Sequence, residues 1–189
     1  MRTRVLPSLS AIALATAFLG APAHGQFANP PVAVDVNPDP TIVEIFLEAS
    51  ETTKQYVPGA ATAVAAYNGT IPGPTIEANV GDTLIVHFTN NLDIDTTVHW
   101  HGVETPANMD GSHIAQLPIP PGGTFDYEFE LLTPSLFWYH PHIRTNEMVE
   151  KGLYGALLVN DSVGDAGLGL PAQERILTLD DIRLDANHQ

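Results

Sequence analysis

The most constraining feature of the sequence is a strict alternation of apolar and acidic side chains over residues 124–131. Phe125, Tyr127, Phe129 and Leu131 occupy every second position, and Asp126, Glu128 and Glu130 lie between them. Because successive side chains of a strand point to opposite faces, this spacing predicts a strand with one buried and one solvated face. A chain containing such a strand needs other strands beside it and a second layer over its apolar face.

Other short strands are predicted at regular intervals, with Pro- and Gly-rich turns between them. The segments are residues 41–48, 60–67, 75–80, 82–89, 96–100, 137–139 and 153–160, the last being apolar enough for a central strand. The sequence has no long amphipathic helix, and residues 145–151 allow one helical turn. We therefore expect an all-β, single-domain Greek-key β-sandwich or barrel.

The two ends of the chain differ from this middle part. Residues 1–25 combine Arg2 and Arg4 with an apolar run and then small residues, which is typical of a secretory signal. Residues 26–40 are rich in Pro and Asn and predict an extended, poorly ordered leader. The folded domain is expected over residues 41–160. Residues 161–189 are interpreted as a Gly-rich linker and the start of an incomplete second domain, with a strand over residues 174–179.

Composition excludes several functions. The chain has 22 acidic and 7 basic residues, a net charge of −15, and nucleic acid is an unfavourable partner for such a protein. It contains no cysteine, so thiolate catalysis, thiolate zinc sites and blue-copper sites cannot be built from these residues alone. We expect an exported protein, periplasmic or extracellular, with no membrane segment once the signal is removed.

Two histidine pairs suggest a metal site. His99 and His101 flank Trp100, and forty residues later His140 and His142 flank Pro141. On a strand, residues two apart share a face and lie about 6.6 Å apart, so two such strands can gather four imidazoles. Imidazole binds copper, zinc, iron or nickel, and the residues alone do not choose among them. The alternative is two pairs of strand histidines hydrogen-bonded in a polar patch.

Several motifs, in order, resemble the first cupredoxin domain of the multicopper oxidases, the family of laccases and bilirubin oxidase. The resemblance covers about residues 41–160, and the tail at residues 179–185 is similar to the strand that enters the second domain of these enzymes. The motifs are Tyr67-Asn-Gly-Thr-Ile-Pro-Gly-Pro-Thr75, Val80-Gly-Asp-Thr-Leu84, His99-Trp-His-Gly102, Met109-Asp-Gly111, Gln116-Leu-Pro-Ile-Pro-Pro-Gly-Gly123, Trp138-Tyr-His-Pro-His142 and Lys151-Gly-Leu-Tyr-Gly-Ala156.

The resemblance implies a trinuclear copper cluster shared between this domain and a C-terminal cupredoxin domain. By position, His99 would bind the type 2 copper, and His101, His140 and His142 the type 3 pair. Asp110 matches an acidic residue that would relay protons while dioxygen is reduced to water; the alternative is that Asp110 and Gly111 simply form a turn. Trp100 and Trp138 are interpreted as core residues, and His87, Glu104 and His113 are not expected to be ligands.

The family takes its electrons at a type 1 copper that needs a cysteine, which this sequence lacks. We therefore expect the N-terminal domain of a secreted multicopper oxidase, completed by a C-terminal cupredoxin domain in cis or in trans and inactive by itself. The reducing substrate, a small molecule or metal ion, is not encoded in these residues. The alternative is a free-standing copper-binding protein for storage or delivery.

Overall fold

The computed structural model describes residues 28–161 and 175–187, which form two packed four-stranded sheets. The predicted signal, residues 1–25, and most of the predicted linker lie outside the described residues. One sheet has the order β2-β1-β4-β6 and the other β3-β8-β7-β5. The strands are β1 Ile42–Val57, β2 Ala60–Tyr67, β3 Ile76–Asn79, β4 Thr83–Asn91, β5 His99–His101, β6 Thr124–Glu130, β7 Ser135–His140 and β8 Gly155–Asn160. The prediction of an all-β sandwich is confirmed.

The alternation in β6 decides which face enters the core. Tyr127, Phe129 and Leu131 are buried, whereas the acidic residues between them are exposed, as predicted. β6 pairs antiparallel with β4, which places Val86 opposite Tyr127 and Leu84 opposite Phe129. Both sheets contribute to one apolar core between them, because buried side chains of β1, β4 and β6 pack with those of β5, β7 and β8.

Neighbouring strands in each sheet are often not consecutive in sequence, and two of the neighbouring pairs are parallel. β1 pairs with β4 in parallel, and β3 pairs in parallel with β8, while the other named pairs are antiparallel. A parallel pair cannot be closed by a tight hairpin, so the chain must pass between the sheets to make these connections. β8 lies between β3 and β7, which confirms its prediction as a central strand.

The leader is more ordered than its composition predicts. The N–H of Ala33 donates to the carbonyl of Thr75 (2.8 Å), and the N–H of Thr75 donates to the carbonyl of Pro31 (2.7 Å). The N–H of Val36 donates to the carbonyl of Glu44 in β1. The description of residues 28–40 as poorly ordered is therefore wrong, because their backbone groups pair with both sheets.

Two other expectations about elements need correction. β1 runs to Val57 rather than ending near residue 48, because its second half pairs with β2 in a hairpin closed between Val57 and Ala60. The strand expected at residues 174–179 is wrong for its described part: residues 175–187 contain no strand. This segment is instead held by the hydroxyl of Tyr154, which donates to Oδ2 of Asp180 (2.6 Å). The helical turn is confirmed as α1, Thr145–Met148.

Among the described residues, no helix has the length and apolar character needed to cross a membrane.

A histidine on the outer face of the first sheet joins three strands. This residue is His87 of β4. Its Nε2 lies 2.8 Å from Oε1 of Glu44 in β1, and its Nδ1 lies 2.8 Å from Oδ1 of Asp126 in β6. Both ring nitrogens are used, which confirms that His87 is a hydrogen-bonded residue. These two carboxylates raise the pKa of His87, and the hydrogen bond from His87 in turn lowers the pKa of Glu44.

We expect His87 to stabilise the fold in mild acid more than in alkali. A raised pKa in the folded state means that the protonated ring stabilises the fold below the unfolded pKa of about 6.5. This contribution is lost as the pH rises through the folded value. The free energy of unfolding, measured by urea denaturation, should differ more between wild type and His87→Gln at about pH 5.5 than at about pH 8.5. An equal difference at both pH values would contradict the charged pairing.

Candidate metal centre

The pairing of β5 with β7 brings the two histidine pairs together. Their antiparallel register sets His99 opposite His140, Trp100 opposite Tyr139, and His101 opposite Trp138. Trp100 and Tyr139 point into the core and are fully buried. Because side chains alternate along a strand, the imidazoles of the paired residues lie on the other face of the sheet. β5 is the last strand of its sheet, so this group of rings is at the sheet margin.

Three of the four imidazoles converge on one point. His99, His140 and His142 each offer one ring nitrogen within 4.8 Å of the other two, which is close enough for a single metal ion. The ring centroids of His99 and His142 are 4.1 Å apart. His101 is not in this group, but its Nδ1 lies 3.2 Å from Nε2 of His140. The four predicted residues therefore form one contiguous cluster.

Backbone carbonyls orient two of these rings. Nδ1 of His99 lies 2.7 Å from the carbonyl oxygen of Asp110, and Nδ1 of His140 lies 3.0 Å from the carbonyl oxygen of Pro141. A carbonyl can only accept, so each Nδ1 carries the proton and each Nε2 carries a lone pair. The lone pair of His140 faces Nδ1 of His101, 3.2 Å away. For His142 it is the backbone N–H, not the ring, that donates to Oγ1 of Thr97, 3.2 Å away. The rings of His99 and His140 are thus held through one nitrogen with the other turned away from the carbonyl, as is general for metal-binding histidines.

The electrostatic environment favours neutral rings. Burial, together with the neighbouring histidines, lowers the pKa of His140 to about 4, although its hydrogen bond to the carbonyl of Pro141 acts in the opposite direction. Burial also lowers the pKa of His142, with contributions from the nearby rings of His99 and His113. Near pH 7 both rings are therefore uncharged, and the neutral imidazole is the form that binds a metal ion.

Asp110 lies beside the cluster, at the end of a short 3-10 turn, Ala107–Met109. Its Oδ1 is 3.5 Å from Nδ1 of His99, and its side chain is partly exposed. Asp110 is thus a neighbour of His99 and is partly accessible to water. Glu104 and His113 are exposed loop residues, and neither belongs to the three-histidine group.

Trp138 contacts the histidine cluster, although the sequence analysis interpreted it as a core residue. Trp100 is a core residue as predicted, but Trp138 is 39% exposed, so the core assignment was wrong for it. Its ring stacks on His140 (centroids 4.1 Å apart) and on His101 (4.9 Å). The signal that could have found it is the alternation itself, because residues 138 and 140 share a face of β7.

This donor set suits a metal with a preference for nitrogen. The described residues of the cluster offer imidazoles held by the sheet, two of them with the metal-facing nitrogen already unprotonated. Copper, zinc, iron and nickel all accept imidazole ligands. With no thiolate in the chain, the cluster cannot be a structural zinc site of the cysteine type.

Comparison with known proteins shows which family the chain resembles in sequence and in structure. Residues 48–164 match the family described as multicopper oxidase. The chain is 44% identical over 95 residues to multicopper oxidase MmcO of Mycobacterium tuberculosis, covering 50% of this chain and 18% of that protein. A multicopper oxidase from Campylobacter jejuni, described as a metallo-oxidase, superimposes with a TM-score of 0.68 at 33% identity. That structural match covers 72% of this chain and 29% of the other.

A laccase from Pediococcus acidilactici gives a TM-score of 0.70 at 29% identity, covering 77% of this chain and 32% of that one. These likenesses confirm the predicted cupredoxin-type sandwich. The aligned part of the chain spans about a fifth of the length of the curated relatives.

Proposed function

Since this chain belongs to the multicopper oxidase family, we propose that it supplies four histidines to a shared trinuclear copper cluster. The residues are His99, His101, His140 and His142. The observation that carries the proposal is the convergence of three ring nitrogens within 4.8 Å, with His101 in contact with His140. Copper is the cofactor of the family, and when bound it supplies the electron transfer by which dioxygen is reduced to water while a substrate is oxidised.

We assign His99 to the type 2 copper and His101, His140 and His142 to the type 3 pair, following the family pattern. The contact between Nδ1 of His101 and Nε2 of His140 supports placing these two together. The ring of His99 is oriented by a different group, the carbonyl of Asp110 on the loop after β5. Its nitrogen also lies within 4.8 Å of those of His140 and His142, so its assignment to the type 2 copper follows the family pattern alone. The chain's own contribution is to hold the rings in fixed orientations on β5, at the end of β7 and just beyond it, so that little rearrangement is needed when the metal binds.

Asp110 is proposed as the proton relay of the site. Its carboxylate is partly exposed, so Oδ1 can take up a proton from water, and it lies 3.5 Å from the ring of His99. Reduction of dioxygen to water consumes protons, and a carboxylate at this position can hold one close to the site. Its alternative reading as a turn residue is compatible with this role, because the turn is what brings the carboxylate to His99.

The remaining parts of the enzyme must come from other residues. A type 1 copper needs a cysteine, and this sequence has none. We propose that a C-terminal cupredoxin domain, in cis or in trans, supplies that copper and the other cluster ligands, and that this chain alone does not oxidise substrate. The position of β5 at the margin of its sheet supports this, since another domain can approach the rings there. The signal-like residues 1–25 support export to the periplasm or the exterior.

Copper binding by this chain tests the proposal. We expect the chain to bind copper(II) with nitrogen hyperfine structure in its electron paramagnetic resonance spectrum. His140→Ala should weaken binding by about tenfold or more, which corresponds to about 1.4 kcal/mol, because His140 contacts the other rings on both sides. Binding is measured by titration with the metal alone.

The matched control is His87→Gln, since His87 is a histidine whose two nitrogens are already held by carboxylates. This variant should bind copper as the wild type does. Copper affinity that is unchanged in His140→Ala, or that falls only in His87→Gln, would refute the ligand assignment.

A further inference from the structure

The loop after β5 contains a glycine pressed against the start of that strand. Gly111 is buried and has a positive φ of +77°. A Cβ built on it would lie 2.7 Å from the backbone nitrogen of His99 and closer still to the carbonyl of Val98. Real Cβ atoms essentially never approach other atoms this closely, so any side chain at this position must push the loop and the strand apart.

Close approach of the loop is what brings an acceptor to His99. The carbonyl of Asp110, the residue before Gly111, lies 2.7 Å from Nδ1 of His99. A neutral imidazole has one N–H, and this contact places it on Nδ1, leaving Nε2 as the acceptor. The carboxylate of the same residue is farther away, with Oδ1 at 3.5 Å. The backbone oxygen is therefore the stronger of the two contacts that orient the ring.

The start of β5 is held by a hydrogen bond to β6. If a side chain at position 111 pushed the two apart, the loop that contains Gly111 would therefore move rather than β5. The N–H of Val98 donates to the hydroxyl oxygen of Tyr127, 2.8 Å away. Nε2 of Gln116 donates to the same oxygen, 3.0 Å away, and both side chains are buried. Withdrawing β5 from Gly111 would break a buried hydrogen bond, which is unfavourable. A Cβ at position 111 is therefore expected to displace the carbonyl of Asp110.

We propose that Gly111 is a positioning residue for His99. Because it lacks a Cβ, the Asp110 carbonyl reaches Nδ1 of His99, fixes the proton there and leaves Nε2 for the metal ion. The metal-binding part of this inference rests on the proposed function. The tautomer of His99, in contrast, is a property of the metal-free chain and can be measured without it.

The test compares Gly111→Ala with a matched control, Gly122→Ala. Gly122 has nearly the same backbone angle, φ +72°, but a Cβ on it would meet nothing within 4 Å. Both variants thus introduce similar backbone strain, and only Gly111→Ala introduces an overlap with β5. An effect seen in both variants is attributed to backbone strain at a positive φ. An effect seen only in Gly111→Ala is attributed to displacement of the loop by the added Cβ.

The first readout is the tautomer of His99, from nitrogen-15 NMR of the imidazole rings in metal-free chain at about pH 8.5. Wild type and Gly122→Ala should show the proton on Nδ1. Gly111→Ala should shift His99 towards the form protonated on Nε2. His140 should remain protonated on Nδ1 in all three proteins, because its acceptor is the carbonyl of Pro141. The second readout is copper(II) affinity, expected to fall about tenfold in Gly111→Ala and to be unchanged in Gly122→Ala.

A second variant separates the carbonyl from the carboxylate. Asp110→Asn keeps the backbone oxygen and removes the charge, so His99 should keep its proton on Nδ1. Loss of that tautomer in Asp110→Asn, or its retention in folded Gly111→Ala, overturns the proposal. If Gly111→Ala does not fold, Asp110→Asn decides alone. A wild-type chain with the expected tautomer but no copper binding would refute the proposed function and leave the positioning role intact.

Discussion

Replacing Tyr139 with alanine is expected to lower the free energy of unfolding by about 4 kcal/mol, in the range of large aromatic truncations. Tyr139 is fully buried on β7, and its ring packs on Tyr67 (centroids 5.2 Å apart) and Trp100 (5.8 Å). Its hydroxyl donates to the carbonyl of Pro74 at 2.6 Å. The substitution leaves a cavity between the sheets and an unpaired buried carbonyl. Urea denaturation measures the loss as a lower midpoint at an unchanged slope.

Two further variants separate the contributions at Tyr139. Tyr139→Phe keeps the ring and removes the donor, so it should cost only about 1–3 kcal/mol, the penalty for an unsatisfied buried acceptor. Phe46→Ala removes a similar ring from an exposed position and should cost less than about 1 kcal/mol. A Tyr139→Ala cost no larger than that of Phe46→Ala would show that the ring is not part of the core.

Replacing Gly155 with alanine should destabilise the fold by about 3 kcal/mol, the upper end for overpacking. Gly155 of β8 pairs directly with Tyr139 of β7. An added Cβ would lie 2.6 Å from Cε1 of Tyr139 and closer still to its hydroxyl oxygen. The φ of Gly155 is not positive, so the cost comes from overlap rather than from backbone strain. The free energy of unfolding of Gly155→Ala, relative to wild type, checks this.

A double-mutant cycle identifies the clash. With Tyr139 already replaced by alanine, the added methyl group of Gly155→Ala has space and should cost almost nothing, giving a coupling energy of about 3 kcal/mol. Additive losses in the double variant would mean that the Cβ at position 155 meets another part of the sandwich.

The sequence predicted the fold best where burial is one-sided. β6 was predicted to within one residue, because alternation follows directly from having one face in the core. β2 was predicted over its observed bounds, Ala60–Tyr67, because turns at residues 58–59 and 68–69 delimit it. The second half of β1 was missed because its side chains are half-buried or exposed, with none fully buried, and lack a regular apolar face. The leader was missed because its hydrogen bonds are made by backbone atoms, which composition does not reveal.

The candidate site was predictable in its members but not in its geometry. The expectation that His140 and His142 share a strand was wrong, because β7 ends at His140. The spacing of His99 and His101 does indicate that their side chains share a face once a strand is assumed. It does not indicate which ring nitrogen is free. That is decided by carbonyls of Asp110 and Pro141, whose positions depend on how the loops close over the strands. Trp138 was misassigned because an aromatic residue beside a buried strand is usually a core residue.

The carbonyl contacts of His99 and His140 also bear on the order of events as the protein matures. Many small metal-binding domains are unfolded until the ion arrives, because nothing else orders their ligands. Here two of the rings are oriented by backbone oxygens of loop residues that lie against the strands. We therefore expect the chain to fold first and to take up an ion later, so that loss of the ion would leave a folded acceptor rather than an unfolded polypeptide.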